Sequence, residues 1–173
     1  MNRREVIAGA GTLALAAGLP GMAFAQTQVS KRPPKAERRF TSKAVESEIA
    51  RVKKKIADPE LAWLFENCYP NTLDTTVTLG EVDGKPDTFV ITGDIDAMWL
   101  RDSSAQLQTY VHLTPKDADL RRLFHGALQR QARCILLDPF ANAYTRDPAA
   151  KSNLPAINDR TDMNPGVAER KWE

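Results

Sequence analysis

Residues 92 to 106 read TGDIDAMWLRDSSAQ, so three carboxylates (Asp94, Asp96, Asp102) and the guanidinium of Arg101 stand close together around Met98 and Trp99. Asp94 and Asp96 are two residues apart at the end of a strand-like run, and at that spacing both project to the same side. Arg101 and Asp102 stand where a helix begins. Side chains held at the junction of rigid elements are where binding concentrates. A sugar offers a ring of hydroxyls and a flat apolar C–H face: carboxylates accept from the hydroxyls, an arginine donates to them, and an aromatic covers the face. All three parts are present. Neighbouring carboxylates also shift one another's pKa, as the acid and base of a glycosidase require. A purely structural account uses the same residues, with Asp102 or Ser103 capping the helix, Arg101 paired to Asp94 or Asp96, and Trp99 with Met98 in the core. Residue types alone leave both accounts open.

The elements that position this stretch are mostly helical. Val45, Ile49, Val52 and Ile56 repeat at helical spacing and predict a helix from about Ser42 to Ile56. Asp58 then reads as an N-cap with Pro59 at the first helical position, opening a short helix that Tyr69-Pro70 stops. Thr75–Leu79 and Thr88–Thr92 are β-branched runs on either side of Asp83-Gly84, which predicts a hairpin. That hairpin delivers the chain to the acidic stretch. Beyond it, Ser103 to about Leu113 reads as a helix, and Thr114-Pro115-Lys116-Asp117 supplies a cap, a proline and an acidic residue for the next. Leu120, Leu123, Phe124, Leu128, Ile135 and Leu136 form the expected buried stripe of that helix, ending near Leu137. The segment from Asp138 onward has Pro and Asn throughout and little periodicity, a composition suited to a site-building loop. Two pairs of helices thus flank one β-ribbon.

Composition bounds the function. The 173 residues are 42% hydrophobic and 27% charged, as in a globular protein. Residues 1–25 form an export leader: Arg3-Arg4, an apolar Gly/Ala/Leu stretch, and Ala23-Phe24-Ala25 as a cleavage site before Gln26. The paired arginines resemble a twin-arginine signal, whose cargo folds before it is exported, with an ordinary secretory signal as the alternative. The expected location is therefore periplasmic or extracellular, without a stable membrane anchor, since no later apolar run is long enough to span a bilayer. Residues 26–41 are a polar arm lying on the surface. Residues 31–55 carry ten Lys/Arg against three Glu, but the apolar stripe there marks a solvated helix face, and no nucleic-acid partner is expected. Cys68 and Cys134 are expected as two separate buried thiols, and with only His112 and His125 a metal site is poorly supplied. A Gly-rich phosphate cradle and a Gly-x-Ser-x-Gly elbow are both missing, which removes the usual signatures of nucleotide and serine-hydrolase chemistry.

The stretch TGDIDAMWLRDSSAQ, together with DPFANAY at 138–144 and ERKWE at 169–173, resembles the amino-terminal part of glycoside hydrolase family 125. The likeness runs from about Ser42 to Glu173. It implies a mainly α fold, a partial (α/α)6 toroid of helical hairpins over residues 42–173, and an exo-acting, metal-independent α-1,6-mannosidase with no cofactor and a mannose-containing glycan as partner. By this resemblance Arg101 and Asp102 bind hydroxyls of the terminal mannose, Asp94 and Asp96 support them, Trp99 lines the pocket, and Asn142 and Tyr144 stand on its rim. The mechanism implied is inversion, one carboxylic acid protonating the leaving oxygen while a second carboxylate activates water. Both are expected beyond residue 173, so no residue here is assigned to catalysis and the chain alone is expected to be inactive. A non-catalytic sugar-binding module and a toroidal glycosidase with a different sugar specificity are the alternatives.

Overall fold

The computed structural model describes residues 29–93, 95–152 and 165–169. The leader expected at residues 1–25 lies outside them. The polar arm enters along the second helix: the carbonyl of Val29 accepts from Trp63 Nε1 at 2.9 Å, and Asn67 Oδ1 accepts from the Lys31 amide at 2.5 Å. Arg32, only 5% exposed, then bridges Glu46 at 2.6 Å and Asp74 at 2.8 Å, so the arm is fastened to the body rather than trailing from it.

α1 (Lys43–Lys53) begins where the sequence predicts, capped by Ser42 Oγ accepting from the Val45 amide, and α2 (Pro59–Cys68) begins at the predicted cap Asp58, which accepts from the amides of Glu60 and Leu61. A π-helical turn, Thr72–Thr76, leads into the hairpin β1 (Val77–Val82) and β2 (Lys85–Val90). Its two-residue turn has φ of 52° at Asp83 and 70° at Gly84, the left-handed pair that a tight hairpin needs. Val77 and Val90 face Val45, Ile49, Leu73, Leu107, Tyr110, Leu120 and Leu123 in the main core.

The next elements differ from expectation. Met98–Trp99 form a short strand, β3, and α3 runs Leu100–Gln108, three residues ahead of the expected Ser103. Pairing of β3 with a distant strand decides where the extended backbone stops, which local sequence does not reveal. Thr114 and Pro115 lie in a 3-10 turn, Val111–Lys116, and the cap of α4 (Ala118–Leu137) is Asp117. Asp117 accepts from the Leu120 amide at 3.0 Å and from Ser42 Oγ at 2.6 Å, so one carboxylate caps α4 and holds the start of α1. Burial works to raise its pKa, but these bonds outweigh burial and hold the carboxyl below its ordinary range.

The buried face of α4 is made by Leu120, Leu123, Gly126, Ala127, Arg130 and Cys134. Phe124 is half-buried, while Leu128, Ile135 and Leu136, expected inside, are exposed. The cause is the close seat of α4 on β2: a Cβ on Gly126 would fall 2.4 Å from Thr88 Oγ1 and 2.9 Å from the Asp87 carbonyl carbon. Small residues, not large ones, allow that approach. Both cysteines are free; Cys134 is buried, but Cys68 is exposed, because α2 turns it away from the core. Among the described residues no helix is long and apolar enough to cross a membrane.

The tail beyond α4 folds back. Ala143–Tyr144 (β4) pairs antiparallel with β3, and Val167–Glu169 (β5) pairs with β4, giving a three-stranded sheet in the order β3-β4-β5. Ala97, Ala143 and Ala168 are fully buried there with Trp99 packed on them. Met98–Trp99, Ala143–Tyr144 and Glu169, a described part of each of the three stretches that carry the family resemblance, thus meet in one small sheet.

Candidate functional site

The site is built at the point where β3 becomes α3. Met98 is fully buried and fixes the strand. Trp99 is the N-cap residue of α3 but offers no side-chain cap hydrogen bond, so neither Asp102 nor Ser103 caps this helix. Ser103 and Ser104 instead donate back to the Leu100 carbonyl at 3.1 and 2.7 Å. Gln131 of α4 donates to both hydroxyls at 3.0 and 2.9 Å, and Gln106 donates to the Ile91 carbonyl at 3.2 Å. α3 is therefore tied to α4 and to the end of β2, and the first turn is held rigidly in place.

Arg101 and Asp102 stand on that turn with little structural work to do. The Arg101 side chain is 91% exposed, and its ion-pair partner among the described residues is Asp102, at 3.7 Å. Asp102 also lies in the first helical turn, where the positive end of the helix dipole favours a carboxylate. An exposed guanidinium beside a half-buried carboxylate presents donors and acceptors together, as vicinal sugar hydroxyls require.

The remaining expected residues separate. Asp96 does not pair with Arg101; it accepts from Arg146 at 2.6 Å. Asp94 lies outside the described residues. Trp99 is half-buried on the alanine cluster and precedes Leu100 and Arg101 at the start of α3. Asn142 is half-buried at the edge of β4, its amide donating to the Glu169 carbonyl at 2.8 Å. Tyr144, expected on the rim, is instead 1% exposed, and its phenol donates to the Asp138 carbonyl at 2.5 Å. Burial pushes that phenol up to about 12, and Tyr144 serves the fold. Its place in β4, facing inward between β3 and β5, is what removes it from the rim.

Sequence reasoning missed Arg146, Arg130 and Gln131. None belongs to a local motif; each acts through partners far away in the chain. An apolar groove of about 550 Å³ between α2 and α3, lined by Leu61, Leu64, Phe65, Tyr69 and Tyr110, contains none of the expected sugar-binding residues. Among the described residues no cluster of three His, Cys, Asp or Glu could hold a metal ion.

Comparison with known proteins finds relatives of this chain. The meiotically up-regulated gene 157 protein of Schizosaccharomyces pombe is 48% identical over 115 residues, covering 66% of this chain and 23% of that protein. The solved structure of a metal-independent α-mannosidase from Streptococcus pneumoniae, a non-productive substrate complex with α-1,6-mannobiose, superposes with a TM-score of 0.65 at 40% identity. The match covers 78% of this chain and 31% of that one. The chain thus spans less than a third of either relative. The family model of metal-independent α-mannosidases, GH125, matches residues 58–173, which takes in the hairpin, the β3–α3 junction and the three-stranded sheet: the chain belongs to this family.

Proposed function

We propose that this chain is the sugar-gripping part of an exo-acting α-mannosidase that removes terminal α-1,6-linked mannose with inversion. The observation that carries the reading is the Arg101–Asp102 pair, an exposed guanidinium beside a half-buried carboxylate, each with no other ion-pair partner among the described residues, at a rigid strand-to-helix junction. In this role Arg101 donates to hydroxyls of the terminal mannose and Asp102 accepts from them. Trp99 lies against the ring, and Asp94 and Asp96 supply supporting acceptors. The α-1,6-mannobiose bound by the Streptococcus pneumoniae relative supports the choice of sugar. The general acid and base come from sequence outside these 173 residues, and the chain alone turns over no substrate. The reaction draws on carboxylates, with no metal called for.

The test is titration of the 173-residue chain with α-1,6-mannobiose and with maltose, followed by NMR, alongside a mannose-release assay with and without chelator. Saturable shifts near Trp99 with mannobiose alone, lost in Arg101→Ala and Asp102→Ala, are the expected result. Equal response to maltose would move the reading to another sugar specificity, and no response to either would overturn it. We also propose that the chain is exported and begins at Gln26 once mature. Mass spectrometry of the secreted product checks this, and an intact leader in that product would refute it.

A further inference from the structure

Arg146 follows β4 in a stretch with no recognisable motif, yet it is the most connected arginine near the site. One guanidinium nitrogen donates to Asp96 at 2.6 Å and another to the Thr78 hydroxyl of β1. The guanidinium carbon lies 5.0 Å from the centroid of Phe89, a ring that is 1% exposed. Its backbone carbonyl accepts from Arg130 at 3.0 Å, and Arg130 is itself locked onto Asp87 through two bonds of 2.9 and 2.6 Å. An ordinary exposed ion pair contributes little because both side chains must be immobilised to form it. Here the ring, the hydroxyl and the backbone tether have already fixed the arginine, so little further ordering is lost when Asp96 joins.

The other partner is placed to matter. Asp96 stands two residues before Met98, in a stretch whose other described backbone bond is the local one from the Ala97 amide to the Ile95 carbonyl, 2.8 Å. We propose that Arg146 is a positioning residue of the sugar site, holding Asp96 and the 95–97 stretch in one place against the β-ribbon so that Trp99, Arg101 and Asp102 are presented in a fixed arrangement. This rests on the proposed sugar-binding role of the β3–α3 junction. Arg146 touches no sugar itself; it acts through Asp96.

The experiment is amide hydrogen exchange on the 173-residue chain, with Arg146→Met, Arg146→Lys and Asp96→Asn variants, followed by titration of each with α-1,6-mannobiose. Arg146→Met is expected to speed exchange at Ala97 and Met98 about fivefold, the upper end for a partly exposed pair, with β1 and β2 unchanged. Arg146→Lys restores part of the protection, and Arg146→Met combined with Asp96→Asn does no more than either alone. Mannobiose affinity falls by a similar factor. Unchanged exchange, or effects that add in the double variant, would overturn the proposal. If Arg146→Met loosens the whole ribbon, Asp96→Asn decides, because it removes the charge from the contact and leaves the ring stack. Faster exchange with unchanged affinity would reduce Arg146 to a structural tether. A wild-type chain that binds no mannobiose refutes the proposed function, while the exchange result still tells whether Arg146 fixes Asp96.

Discussion

Two arginine–carboxylate sets in this chain use the same chemistry for opposite ends. At Asp87, an 8%-exposed carboxylate of β2 meets Arg130 through two bonds and Arg133 through another, under the face of α4. At the β3–α3 junction, Arg101 and Asp102 stand 3.7 Å apart with the arginine 91% exposed. The first set is largely buried, two-pronged and fixes a helix to a sheet; the second is more open, loosely paired, and joins no two elements among the described residues. A carboxylate buried with its arginine is committed to the fold, since removing either partner strands a charge in a poorly solvated place. The exposed pair is available to bind because the fold does not depend on it.

That contrast is broken most severely at Asp87. Asp87→Ala leaves Arg130 buried without its counter-charge, and the expected loss is about 3–5 kcal/mol in urea or thermal unfolding. A loss below about 1 kcal/mol would mean that solvent reaches Arg130 and that the two sets are alike.

An intermediate case sharpens the comparison. Arg32 is buried against Glu46 and Asp74, but Glu46 remains 38% exposed. The hydrogen bond from Arg32 holds the Glu46 carboxyl below its ordinary value of 4.5, burial opposing it, with the nearby charges of Arg32, Arg38 and Lys35 adding to the lowering. A lowered native pKa means the unfolded chain binds the proton more readily. The stabilisation is therefore present above about pH 4.5 and lost as pH falls through the native value. Glu46→Gln is expected to flatten the acid limb of a stability-versus-pH curve while costing less at neutral pH than Asp87→Ala. An unchanged acid limb would show that the arm's fastening does not depend on this carboxylate.

Local chemistry made part of this legible in advance. Ser42 and Asp58 cap helices through bonds two or three residues long, and Asp83-Gly84 makes a turn because its own backbone adopts positive φ. The start of α3 was not legible, because it depends on Met98–Trp99 pairing with Ala143–Tyr144, far along the chain. The inner face of α4 was misjudged for a related reason. Gly126, Ala127 and Arg130 are buried through closeness and charge pairing rather than apolar bulk, while Leu128 and Leu136 point outward. For the site, residue types marked the stretch holding Asp94, Asp96, Trp99, Arg101 and Asp102, and only the family resemblance put Arg101 and Asp102 foremost. Neither gave a sign that Arg146 claims Asp96 or that Tyr144 lies inside.

The smallest expected effect on stability is the most telling. Among the described residues the ion-pair partner of Arg101 is Asp102, 3.7 Å away, and its side chain is 91% exposed, so Arg101→Ala should change the unfolding free energy by no more than about 0.5 kcal/mol. Asp102→Ala should cost slightly more, since a carboxylate in the first turn of α3 interacts with the helix dipole by about 0.3–1 kcal/mol. Equilibrium urea unfolding of both variants beside Asp87→Ala would place the three on one scale. If Arg101→Ala destabilised the chain as much as Asp87→Ala, Arg101 would be a structural residue and the case for a sugar grip at this junction would fall. If it left stability untouched while abolishing the mannobiose response, binding and folding would be separated at a single side chain, because a side chain that adds nothing to the folded state yet is needed for the response acts on the sugar.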